Sequence, residues 1–121
     1  TSTVLVQYQE ESRMLEGMLA TDFAASEMPL TPFGEKARAV YKGTGTTYAM
    51  LGVEAYAILA HAMTRCHEPP NRACVNSMIR STHDFTGILG KITIESNGKA
   101  LRPLVVSAIE DGRMNFIVKV Y

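Results

Sequence analysis

Apolar residues recur three and four positions apart along "YAMLGVEAYAILAHAM", Tyr48 to Met63, at Met50, Leu51, Ala55, Ile58, Leu59, Ala62 and Met63. That period predicts an amphipathic α-helix, into which Glu54 and His61 intrude. Thr46 or Thr47 can cap its start, and it should run to Arg65 or Cys66. Upstream, "TVLVQY", Thr3 to Tyr8, is short, β-branched and apolar, as suits a strand buried on both faces. From Glu10 the period turns helical, with Met14, Leu15, Met18, Leu19 and Phe23 on one face. Gly17 inside that run costs about 1 kcal/mol relative to alanine. Pro29 interrupts it, Thr31 can cap a new helix and Pro32 suits its first position. Phe33, Ala37, Val40 and Tyr41 would form that helix's apolar face, and Gly43 and Gly45 its end.

Beyond "HEPPN", Asn71 can cap a shorter helix through Cys74, Val75, Met78 and Ile79. The last third changes period. "KITIE" alternates, Asn97-Gly98 is a tight-hairpin pair, "PLVVSAI" reads as a strand, "EDGR" as a turn, and "MNFIVKVY" alternates again. The order predicts an α/β fold with a partly parallel sheet, flanking helices and a C-terminal antiparallel β-meander.

Composition narrows what such a fold can do. A chain of 121 residues fits one domain, and a chain of this size buries roughly two-thirds of its unfolded surface. It is 46% hydrophobic and 20% charged, which suits a globular protein. No apolar run reaches the ~18 residues of a membrane span. Twelve basic and twelve acidic side chains balance, so no basic field exists to attract nucleic acid. The opening "TSTVLVQYQEES" has neither an initiator methionine nor a signal core, which reads as a mature or excised product.

Candidate chemistry is sparse. A carboxylate beside an apolar stripe must be paired, protonated or solvated. Glu54 therefore either faces a cleft, where it could receive an ammonium, or pairs with a nearby base such as Arg38 or Lys42. Tyr48 and Tyr56 either border a cleft or are buried rings with satisfied hydroxyls. His61 flanks the apolar stripe, and no Ser/His/Asp arrangement can be built around it. "GTGTTYAML" could receive an anion at a helix N-terminus, but it lacks the lysine of a phosphate-binding loop. Cys66, His67, Cys74 and His83 make a poor metal set. No catalytic group and no cofactor is expected, and the protein reads as a non-enzyme.

One set of motifs goes further. "AMLGVEAYAILAHAM" resembles the "A-x-L-G-Y-D-A-x-x-x-L-A-x-A" helix of type I periplasmic solute-binding proteins, the branched-chain amino acid receptors of bacterial ABC importers. "FTGILGKITIESNGKALRPLVVSAIEDGRMNFI" is similar to that family's C-terminal "F-x-G-x-x-G" stretch and the strands after it, with Phe85, Gly87, Gly90, Ile92, Ile94, Gly98 and Gly112 in place. "TVLVQY" resembles the "G-V-L-V-T" strand, and Phe33 and Tyr41 echo the "F-x-x-x-Y" helix that follows it.

The resemblance spans nearly the whole chain and implies that residues 1–121 form a single α/β domain or a fragment like the receptor's C-terminal part, with late elements of two lobes. It further implies an amino acid or small amide ligand in the intact receptor, permease subunits as partners, and a periplasmic or extracellular location. Where the family carries its cleft-facing aromatic this chain has Val53, with Glu54 in place of the aspartate, so Tyr48, Val53, Glu54 and Tyr56 are the candidate ligand-binding residues. In an exported protein Cys66 and Cys74 would form a disulfide between two helices. An isolated partial lobe would leave strand edges bare, which favours a homo-oligomer or domain-swapped dimer. The alternative is a free-standing α/β interaction module that works by oligomerising.

Overall fold

Thr31 and Pro32 begin the first helix as their chemistry requires. In the computed structural model, which describes residues 15–22, 28–41, 46–67 and 69–121, Pro32 opens α1 (Pro32–Val40) and Thr31 Oγ1 accepts from Gly34 N at 3.1 Å. The helix stops at Val40, before the glycines expected to end it. Its buried positions are Gly34 and Ala37, whereas Val40 and Tyr41 lie exposed. The helix thus rests on its smallest residues, because a Cβ at Gly34 would stand 2.6 Å from the carbonyl oxygen of Ile88.

The long helix α2 (Thr46–Thr64) and the shorter α3 (Arg72–Arg80) follow. Asn71 caps α3, its Oδ1 accepting from Cys74 N at 2.9 Å. A disulfide joins Cys66, just past α2, to Cys74 in the first turn of α3, with Cα atoms 6.0 Å apart. Six strands complete the described residues: β1 (Leu19–Asp22), β2 (Phe85–Thr86), β3 (Lys91–Ile94), β4 (Ala100–Leu101), β5 (Leu104–Glu110) and β6 (Arg113–Val120). Two three-stranded sheets result, ordered β1-β5-β6 and β2-β3-β4, and every described pair is antiparallel. The Asn97-Gly98 turn closes β3 on β4, with Gly98 at φ +87°. Asp111 and Gly112, both at positive φ, close β5 on β6.

The expectation for the N-terminal helical run fails. The run from Met14 to Phe23 reads as helix, yet Leu19–Asp22 is a strand paired with β5. Gly17 takes φ +78°, which no right-handed helix accommodates; its N–H donates to the carbonyl of Ile109, and Ile109 N–H returns a bond to Met18. The sheet ladder outweighs local helical preference. The expected strand Thr3–Tyr8, the residues Met14, Phe23, Lys42, Gly43 and Gly45, and the caps offered by Thr46 and Thr47 fall outside what the structure describes.

The chain forms two compact units, Leu30–Arg102 and Thr1–Pro29 with Pro103–Tyr121. The first, the helical unit, holds the three helices and the β2-β3-β4 sheet. Met50, Ala62, Ile88, Leu89 and Ile92 are buried there. The second, the sheet unit, holds β1-β5-β6, with Val105, Ala108 and Ile109 buried.

Candidate functional site

The candidate residues of α2 divide between its faces. Tyr48 and Tyr56 are 62% and 72% exposed, with exposed Gly52 midway between them, so neither tyrosine is a buried ring. Glu54 lies two residues after Gly52, which at about 100° per residue is the far side of the helix from that stripe. There it is 3% exposed. Val53 is half-buried between the two faces. The helix therefore presents an aromatic outer stripe and carries one carboxylate inward; the four residues do not form one constellation.

Burying a carboxylate requires compensation, and the helical unit supplies it from two directions. Arg102 Nη1 lies 2.8 Å from Glu54 Oε1, and Ile88 N–H donates to Glu54 Oε2 at 2.7 Å. Arg102 is the last residue of the unit, with its side chain 17% exposed. Arg38, one of the two bases proposed from the sequence, lies instead beside Glu35 at 3.7 Å, and Lys42, the other, is outside the described residues. Proximity in sequence suggested them, whereas the chain brings in a base from 48 positions away.

A glycine in the loop after β2 makes room for this carboxylate. A Cβ at Gly87 would collide with Glu54 Oε2 and with Ile92 Cδ1, so only glycine admits the oxygen to the backbone. From the other side Thr31 Oγ1 donates to the Gly87 carbonyl at 2.6 Å, and Thr31 N–H donates to that of Ile88 at 2.9 Å. The loop after β2 is thus gripped by the start of α1 and by the middle of α2. Its glycine was visible in "FTGILG", but its purpose was not, because a close approach needs both partners in space. Arg102, a base in the otherwise apolar "ALRPLVV", was the missed signal.

At the other end of α2, His61 is exposed with its ring 5.7 Å from that of Phe85. The two sulfurs once considered as metal ligands are bonded to each other. No cluster of three His, Cys, Asp or Glu able to hold a metal occurs among the described residues, and no described helix is long and apolar enough to cross a membrane.

No family model and no curated protein matches the sequence. Solved structures do match. The fold is similar to that of the leucine binding protein LivK from Thermotoga maritima over 96% of this chain and 34% of that one, with TM-score 0.78 and 27% identity. A protein from Rhodospirillum rubrum described as a branched-chain amino acid ABC transporter aligns with 93% of this chain and 34% of its own, with TM-score 0.69. At 20% identity, that second likeness concerns the fold alone. The chain spans about a third of the length of the solved proteins it matches. In fold, it matches a portion of a type I periplasmic solute-binding protein of the branched-chain amino acid receptor family.

Proposed function

We propose that the chain is part of the solute-binding component of an ABC importer, working in the periplasm with permease subunits and taking an amino acid or small amide. The single observation that supports this is the match to leucine binding protein LivK over 96% of the chain. Exposed Tyr48 and Tyr56, with Val53 on their flank, are the ligand-facing candidates. Glu54 is assigned to the scaffold because Arg102 and the Ile88 amide already engage both of its oxygens.

Small polar ligands need several convergent hydrogen bonds to overcome the freedom lost on binding. Titration calorimetry with leucine, isoleucine, valine and small amides tests the proposal on two samples. The 121-residue chain is expected to show no saturable heat, whereas a receptor that contains it is expected to bind one of these solutes. Saturable binding by the chain alone would show that it is a complete binding domain, and no binding by either sample would sink the receptor reading.

The alternative, an interaction module acting through oligomerisation, draws on one feature. In the sheet unit β1 and β6 are the outer strands of the described sheet, and Leu19, Ile117 and Val118 on them are exposed. Light scattering over a dilution series decides it, a concentration-independent monomer ruling it out.

A further inference from the structure

A cavity of about 380 Å³ lies at the C-terminal end of α2, lined by His61 of the helix, by Arg65 just past it, and by the segment from Ser81 to Phe85 that leaves α3. Its volume falls within the range of small-molecule sites. What it can hold follows from which of its polar groups are already spent.

Two helix ends meet the cavity, and their carbonyls would ordinarily favour a cation. Here they are answered internally. Thr64 Oγ1 donates to the His61 carbonyl at 2.8 Å, and Arg65 N–H donates to that of Ala62 at 3.3 Å. Ser81 Oγ and Thr82 Oγ1 both donate to the Met78 carbonyl, at 3.0 and 3.4 Å. The one carboxylate in the lining, Asp84, lies 3.1 Å from His83 Nδ1. His61 on α2 and Arg65, one residue past its end, have no carboxylate partner among the described residues. Among the described residues, the lining groups left uncommitted are therefore a guanidinium and an imidazole.

The walls add shape. The Phe85 ring stands tilted at 56° to that of His61 and gives the cavity an aromatic side. Asp84 itself is held at φ +51°, an uncommon conformation for a residue other than glycine, with its N–H donated to Thr93 Oγ1 at 3.2 Å. That backbone bond fixes the segment carrying His83 and Phe85 opposite the helix.

We propose that this cavity binds a small organic carboxylate with a flat apolar body. The guanidinium of Arg65 receives the carboxylate through its planar pair of donors, His61 supplies a further N–H, and the flat body lies against Phe85. The proposal concerns the far end of α2 from Tyr48 and stands whether or not the receptor reading holds.

Benzoate is the probe, followed by NMR of the His61 and His83 ring signals and the Phe85 amide in the full 121-residue chain. Saturable shifts are expected with benzoate and not with benzyl alcohol, which offers the same ring without the charge. Arg65 is exposed, so Arg65→Ala should fold and should weaken benzoate by about tenfold or more, the usual weight of a hydrogen bond to a charged group. Asp84→Asn, which tolerates the same backbone conformation, should tighten binding by removing a like charge. Shifts that do not saturate, equal shifts from benzyl alcohol, an affinity unchanged by Arg65→Ala, or weaker binding in Asp84→Asn would each overturn the proposal.

Discussion

The two units are held by different means. In the helical unit a few side chains bear much of the structure: Glu54 ties α2 to the Ile88 amide and to Arg102, Thr31 ties α1 to the same loop, and a disulfide joins α2 to α3. In the sheet unit the work is spread over backbone ladders. β5 and β6 pair along seven positions with one irregularity between Val106 and Ser107, and β1 adds four more pairs on the other side of β5. Small helices joined by loops need specific ties to choose one packing, whereas a ladder repeats the same bond at each register position. Single substitutions should therefore damage the helical unit far more than the sheet unit.

The largest effect is expected at the buried ion pair. Arg102→Met leaves the buried Glu54 carboxylate without its counter-charge, held by the Ile88 amide alone, at a cost of about 3 to 5 kcal/mol. Glu54→Gln should cost less, since its amide oxygen can still accept from Ile88. Hydrogen exchange read residue by residue should show the loss in the helical unit and not along β5 and β6. A loss of under about 1 kcal/mol for Arg102→Met, the scale of a surface pair, would erase the distinction between the units.

Next comes the disulfide. It closes a short loop, and in the chain-entropy account such a cross-link contributes about 2.5 kcal/mol. Replacing both Cys66 and Cys74 by serine should lower the unfolding free energy by that amount, read from urea denaturation. Titration of protein made under oxidising conditions should find no free thiol before reduction and two after it; two thiols before reduction would remove this tie from the comparison.

The α3 cap follows. Asn71→Ala removes the acceptor for Cys74 N–H and should cost about 1 kcal/mol, measured by urea denaturation with an unchanged slope. Smallest is a substitution in the sheet unit. Ile117, 51% exposed on β6, can become threonine with a change within about 0.5 kcal/mol, because threonine keeps the β-branch and little burial is lost. A larger loss there, matching that at Asn71, would show that the sheet also depends on individual side chains.

Much of the fold was legible where the code is local. Thr31-Pro32, Asn71 and Asn97-Gly98 each act within a few residues of themselves, and each does in the structure what its chemistry predicts. The long apolar period of α2 was equally plain. Leu19–Asp22 was misread because its neighbours repeat at helical spacing, while its partner β5 lies far along the chain. At the candidate site, the residue types on α2 could be named but their faces could not be assigned. Tyr48 and Tyr56 turned outward and Glu54 inward, although all three sit in one helical run.

The sequence by itself determined the helices, the caps at Thr31 and Asn71 and the tight turns, since all of these are written in residue spacing and short-range hydrogen bonding, and its motifs carried the resemblance to a receptor family. Only the tertiary structure decided that Glu54 is bound by Arg102 and the Ile88 amide, that the strands sort into two separate sheets, and that Arg65 and Phe85 line one cavity. The reason is physical. A buried charge takes whichever partner the folded chain delivers to it, and a strand pairs with whichever edge is presented, so both depend on contacts between residues that no local pattern connects.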